Sequence, residues 1–179
     1  IQRYLEGDAN AFNVLYKRYR TPLYSYLRRM LYTSPAWTDD IYQQTWIKIV
    51  DKMNTYNPKY RFFAWACRIA HNTLVDHWRK EKREAEAAQS ASVYLREQQP
   101  SIQEEHMERE QVALIEKHVA ALPAEQAEVF GLRQRELSFK EIARIQGVSV
   151  NTALGRMHYA VDKLRKGLRQ NSGNTGGEG

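Results

Sequence analysis

The stretch Ser138-Phe-Lys-Glu-Ile-Ala-Arg-Ile-Gln-Gly-Val-Ser-Val-Asn-Thr-Ala-Leu-Gly-Arg-Met-His-Tyr159 decides how this chain is read. Ser138 followed three residues later by Glu141 is a capping box, in which two otherwise orphaned donors at a helix start are satisfied reciprocally. Gly147 stands where a left-handed residue closes that helix. Ser149 caps a second helix, predicted to run to about Arg169. Ala143 sits at a close-packing position, and Val148 is expected as a buried plug in the turn. Two short helices crossing around a small residue and a glycine turn make a helix-turn-helix. The second helix of such a unit sets its N-terminal residues against base edges in the major groove. Asn151, Thr152 and Arg156 hold those positions here. Arg144, Lys163, Arg165, Lys166 and Arg169 are placed to reach phosphates. Taken alone, the motif also fits a helical hairpin with a solvated basic face.

Working outward, almost every segment has helical periodicity. Leu122-Pro123 opens a helix through Val129, Phe130 and Leu132, with proline at the start where its missing N–H costs nothing. Nearer the N-terminus, Asp8 is a candidate N-cap for a helix with Phe12, Leu15, Tyr16, Tyr19, Leu23 and Leu27 at spacings of three and four. Pro22 is expected to kink or restart it. A second helix follows Ser34-Pro35, with Tyr42, Trp46, Ile49 and Met53 as its stripe. A turn-rich loop, Asn54 to Lys59, leads to a third helix with Phe62, Ala66, Ile69, Thr73 and His77 on one face. No alternating strand pattern of useful length occurs. The chain is predicted to be all-α, in two small helical bundles.

The 179 residues carry 27 Lys and Arg against 21 Asp and Glu, a formal charge of +6. That charge is unevenly spread: residues 1–83 are net +8, residues 84–112 net −5 and residues 113–179 net +3. The middle segment is rich in Ala, Gln, Ser and Glu and has little to bury. It is expected to be a flexible acidic linker, partly helical, between domains 1–83 and 113–169. Residues 170–179 contain no apolar side chain larger than glycine and are expected to be a disordered tail. A hydrophobic fraction of 42% excludes a wholly disordered chain. The single cysteine, Cys67, excludes an internal disulfide framework and a thiolate metal cluster. No stretch approaches the roughly 20 apolar residues of a membrane span. No secretory signal opens the chain, though it starts at Ile1 rather than methionine. These features predict a cytoplasmic protein without membrane insertion.

Between Tyr56 and Arg83 aromatic and cationic residues interleave: Tyr56, Tyr60, Arg61, Phe62, Phe63, Trp65, Arg68, Trp78, Arg79, Lys80, Lys82 and Arg83. Single-stranded nucleic acid is held by this combination, with flat faces for base stacking and cations along the phosphates. Phe62, Trp65 and Ile69, at helical spacing, fit a core better than a stacking platform. The cations near Arg83 also suit a helix C-terminus. The loop residues Tyr56 and Tyr60 are the better stacking candidates. Asn72 and Asp76 lie one turn apart among apolar neighbours; a base-reading amide and a buried structural amide both remain open for Asn72.

Two stretches match one family in series. Asp39-Asp-Ile-Tyr-Gln-Gln-Thr-Trp-Ile-Lys48 resembles the acidic-then-Gln segment with which bacterial sigma factors grip core RNA polymerase. Phe62-Phe-Ala-Trp-Ala-Cys-Arg-Ile-Ala-His-Asn-Thr-Leu-Val-Asp76 resembles the promoter-melting helix that follows it. Ala121-Leu-Pro, Val129-Phe-Gly-Leu-Arg133, Glu136 to Ala143 and Gly147 to Thr152 are similar to the family's C-terminal helix-turn-helix. Their order, and the missing intervening domain, point to the extracytoplasmic-function (ECF) group. The resemblance implies a non-enzymatic initiation factor with no cofactor and no metal. Residues 1–83 would form a region 2-like domain and residues 113–169 a region 4-like domain.

In that reading Asp39, Asp40, Gln43, Gln44, Trp46 and Lys48 would face the β and β′ subunits of the polymerase. Tyr56, Asn57, Arg61, Arg68, Asn72, Asp76, Arg79 and Lys80 would handle the single-stranded −10 element. Arg144, Ser149, Asn151, Thr152, Arg156 and Lys163 would handle the duplex −35 element. The linker would thread toward the RNA exit path, and an anti-sigma factor is the implied regulator. Two departures stand out. The recognition segment usually reads Thr-Val-Lys-Ser-Arg, where this chain has Thr152-Ala-Leu-Gly-Arg156, and His71 replaces a frequent basic residue. A free-standing dimeric helix-turn-helix regulator leaves the Asp39–Lys48 segment unexplained. An enzyme lacks support, since His71 and His77 do not share the spacing of a helical zinc pair and no phosphate-cradling glycine loop is present.

Overall fold

The computed structural model describes residues 1–89, 115 and 117–173. They belong to two compact units, divided between residues 98 and 99. Among the described residues every regular element is helical. Among the described residues no helix is long and apolar enough to cross a membrane.

The N-terminal unit has a short α1 (Gln2–Leu5), α2 (Ala9–Met30), α3 (Thr38–Asp51) and α4 (Phe62–Gln89). Asp8 caps α2 as the sequence predicts, its carboxylate accepting from the N–H groups of Asn10 and Ala11. Pro22 neither restarts nor ends α2, which continues through it. Just beyond Pro22 the helix buries Leu23, Tyr26 and Leu27, and this packing outweighs the loss of one helical donor. Leu23, Leu27, Leu31, Ile41, Ile49, Met53 and Leu74 are fully enclosed, each burial contributing about 1.5–3 kcal/mol. Two buried threonines meet their hydrogen-bonding needs within their own helices: Thr45 Oγ1 donates to the Ile41 carbonyl and Thr73 Oγ1 to that of Ile69. Cys67 is part of this core. Residues 84–89 of the expected linker extend α4, and residues 90–112 lie outside the described residues.

The C-terminal unit contains α5 (Ala124–Gln134), α6 (Phe139–Gln146) and α7 (Val150–Gly173). The last helix therefore includes residues 170–173 of the expected tail, while residues 174–179 lie outside the described residues. Its core gathers Val119, Leu122, Ala127, Ala160 and Leu164, with Phe130 packed against them. The capping box forms: Ser138 Oγ accepts from the Glu141 N–H at 3.3 Å, and the Glu141 carboxylate accepts from the Ser138 N–H at 2.8 Å. Gly147 takes φ 65°, and its N–H and that of Val148 both donate to the Ala143 carbonyl. Val148 is only half-buried, because the turn presents it at the edge of the unit rather than inside. Glu136, between α5 and α6, also adopts a left-handed φ of 61°.

One polar chain ties the three helices together. Glu128 of α5, 2% exposed, accepts a hydrogen bond from Gln146 Nε2 at 2.8 Å. The same nitrogen donates to the Glu125 carbonyl at 2.9 Å. Gln146 Oε1 accepts from the Arg156 guanidinium of α7 at 2.8 Å. A single amide thus faces an anion with its donors and a cation with its acceptor.

Replacing Gln146 by leucine removes this link from a buried carboxylate and a half-buried guanidinium. The Gln146→Leu variant is expected to lose about 2–3 kcal/mol of stability in urea unfolding. Gly147→Ala, which forces a β-carbon into left-handed backbone, is expected to lose about 1–2 kcal/mol in the same measurement.

Candidate nucleic-acid and polymerase interfaces

α3 divides into two faces. Thr38, Ile41, Thr45, Trp46 and Ile49 point into the core, while Asp39, Asp40, Gln43, Gln44 and Ile47 remain exposed. Asp39 and Asp40 fall in the first turn, where their charge complements the helix dipole. Asp39 is held by the Tyr24 hydroxyl of α2 at 2.9 Å, a bond that raises the Tyr24 phenol above its ordinary value. Gln44 Nε2 donates to Asp40 Oδ2 at 2.7 Å. Trp46 does not belong to this surface. It is 7% exposed, and its ring packs edge-on against Phe12, Tyr16 and Tyr42. It supports the face from behind. Sequence reasoning missed Ile47, which is 55% exposed one turn beyond Gln43 and Gln44. Its signal was the i, i+4, i+7 spacing of Gln43, Ile47 and Val50 on a helix whose core positions lay elsewhere.

The loop before α4 is pre-shaped. The Tyr56 hydroxyl donates to the Tyr60 carbonyl at 2.6 Å, and the Tyr56 ring packs edge-on against Phe62 and Trp65. Burial raises the Tyr56 phenol above its ordinary value. Asn57 Oδ1 accepts from the Lys59 N–H at 3.0 Å, an Asx turn that fixes the loop tip. Tyr60 and Arg61 are exposed beside it. Phe62 and Ile69 are core and Trp65 is half-buried, as the packing reading expected.

Along α4, Arg68, Asn72, Asp76 and Arg79 share one exposed face. The face covers about 16 Å of helix axis. Asn72 is exposed, which removes the buried structural amide as its alternative. Asp76 lies 3.9 Å from Lys48 of α3, so residues expected at two different interfaces face each other. The basic cluster near Arg83 does not sit at a helix C-terminus, because α4 continues to Gln89. Lys80 and Lys82 are instead paired one turn on with Glu84 and Glu86.

In the C-terminal unit Arg144, Ser149, Asn151, Thr152 and Lys163 are exposed, and Arg156 is half-buried against Gln146. Ser149 Oγ accepts from the Thr152 N–H at 3.0 Å and shares a second bond with the Thr152 hydroxyl at 2.8 Å. The start of α7 is thereby fixed. Of the more distal cations, Lys166 is paired with Asp162 at 2.9 Å, which lowers the Asp162 carboxyl; Arg165 and Arg169 are exposed. Sequence reasoning missed Glu128, since a buried acid is recognisable only from a partner 18 residues away. Among the described residues no three His, Cys, Asp or Glu side chains converge to hold a metal ion.

Comparison with known proteins follows the same division. Residues 15–84 match the family Sigma-70 region 2, and residues 119–166 match Sigma-70, region 4. The chain is 26% identical over 172 residues to RNA polymerase sigma factor CarQ of Myxococcus xanthus, covering 93% of this chain and 94% of that protein. It is 27% identical over 174 residues to ECF RNA polymerase sigma factor SigF of Caulobacter vibrioides, covering 96% and 93%. Among solved structures, sigma factor RpoE from Bartonella quintana, in complex with the anti-sigma factor NepR, superposes with a TM-score of 0.72 at 19% identity. That superposition covers 90% of this chain and 98% of the other. The two family matches together span most of the chain in the order the sequence predicts, and the protein belongs to the sigma-70 family of bacterial transcription initiation factors, in its ECF group.

Proposed function

We propose that this chain directs initiation by dividing three tasks among the surfaces described above. The exposed face of α3, with Asp39, Asp40, Gln43 and Gln44 around Ile47, docks on core RNA polymerase. The loop at Tyr56 to Arg61 and the α4 face at Arg68, Asn72 and Arg79 capture the single strand of the −10 element. The helix-turn-helix from Ser138 to Tyr159 reads the −35 element as duplex. The observation that carries this reading is the pairing, in one chain, of two nucleic-acid surfaces with different mechanics. A rigid capped helix suits the major groove. A pre-shaped loop beside a polar, cationic helix face suits an unstacked strand. Extruding a base costs a few kcal/mol, and a loop that is already shaped captures it without a further ordering cost.

Two sequence-derived roles change. Trp46 acts by packing beneath the polymerase face. Asp76, paired with Lys48, joins α3 to α4 and contributes no attraction for phosphate. The chain works without catalysis of its own, in the cytoplasm, and the polymerase performs the chemistry. An anti-sigma factor regulates it by covering these same faces; the solved neighbour bound to NepR is an example of such a complex for that protein.

Run-off transcription with core polymerase tests the whole reading. Initiation from specific start sites is expected only when core and this chain are both present. Tight binding of the isolated chain to a palindromic duplex, with no initiation, would favour a free-standing regulator. Ile47→Ser is expected to weaken core binding about tenfold, through loss of about 1.4 kcal/mol of newly buried apolar surface, with an unchanged circular dichroism spectrum. Asn72→Ala and Arg68→Ala are expected to slow promoter opening on duplex templates while leaving core binding intact. A template already unpaired across the −10 element is expected to restore much of the Asn72→Ala loss, as permanganate footprinting and transcript yield would show.

A further inference from the structure

α7 contains a glycine that the fold does not use. A β-carbon added at Gly155 would meet no atom within 4 Å. Glycine inside a helix is less stable than alanine, so its presence there calls for a reason outside the domain's own packing. Gly167, on the same helix, shows what an internal reason looks like: a β-carbon there would lie 2.6 Å from His118 Nδ1. Gly155 follows Asn151 by one turn and so lies on the same outward side of α7. Beside it, Val150 and Leu154, also one turn apart, are 38% and 44% exposed. The exposed cation Arg144 precedes this surface and the exposed cation Lys163 follows it.

We propose that Gly155 is a close-approach point where α7 beds into the major groove, and that Val150 and Leu154 beside it contact the C5-methyl groups of thymines. This rests on the −35 reading of the helix-turn-helix and names the base chemistry that it selects. The major groove is wide enough for a helix, and thymine alone of the four bases presents a methyl there. A helix without a side chain at Gly155 sits deeper, which brings its apolar flank to the groove floor. The −35 element of this protein is accordingly T·A-rich under Val150 and Leu154, with bidentate guanine contacts confined to positions that arginines reach.

The test uses holoenzyme assembled from the full chain and core polymerase. A −35 element is first selected from a randomised library placed upstream of a fixed −10 element. Each selected thymine is then replaced singly by deoxyuridine, which removes the methyl and nothing else. At one or two positions the replacement is expected to lower open-complex formation about fourfold, the worth of one buried methyl-sized group. Leu154→Ala is expected to lose a similar factor on the thymine template and to respond no further to deoxyuridine. Gly155→Ala is expected to raise the melting temperature of the C-terminal unit by several degrees and yet reduce promoter use at least tenfold. Deoxyuridine templates that work as well as thymine ones, with −35 dependence intact, would overturn the methyl contact alone. A Gly155→Ala protein that is both more stable and fully active would overturn the close approach. If no −35 sequence is selected while the −10 element still directs initiation, the duplex-reading role itself fails, and this assignment with it.

Discussion

One side-chain amide joins all three helices α5, α6 and α7 of the C-terminal unit. Gln146 ends α6, yet its nitrogen reaches the buried Glu128 of α5 and its oxygen holds Arg156 of α7. A carboxylate taken out of water is costly unless it is fully hydrogen-bonded, so this chain of contacts is stable when complete and costly when broken. Ala153, Ala160 and Leu164 pack α7 against its neighbours. The directional requirement of the amide adds to that packing, and together they set the start of α7 with Asn151 and Thr152.

The N-terminal unit reaches rigidity by a different route. Its joints are rings: Phe12, Tyr16, Tyr42 and Trp46 meet at centroid distances of 4.9–6.4 Å, and Tyr19 and Tyr56 close on Phe62. Ring contacts of this kind, most of them edge-to-face, hold large flat groups in fixed relative positions without a buried charge. The Tyr56 loop gains its shape from the same packing, so the proposed strand-binding element is continuous with the core. Binding there need not order a loose segment first.

Much of this was legible in the sequence because it is local. The caps at Asp8 and Ser138, the left-handed Gly147 and the buried stripe of α4 depend on residues within a few positions of one another. What escaped depends on tertiary neighbours. Pro22 has a breaking tendency, yet the fold carries α2 through it by burying the residues that follow. Trp46 carries two conflicting signals, membership of the apolar stripe and of the segment that resembles the polymerase grip, and the packing of Phe12 and Tyr16 against it decides for the first. Glu128 looks like any helical surface acid until Gln146 is placed against it. The ends of α4 and α7 ran past their expected limits because helices do not stop where a composition changes.

The empty space around Gly155 bears on how such a protein diverges. Residues in the Gln146 chain are mutually dependent, so a change at one is tolerated only with changes at others. Val150 and Leu154 are partly exposed, and Gly155 meets no atom that a small side chain would displace. Substitutions there disturb none of the unit's packing, and alanine at Gly155 adds helical stability. A gene duplicate can therefore acquire a new set of target promoters by drifting at two or three surface positions, while the scaffold that presents them is held constant by selection on stability.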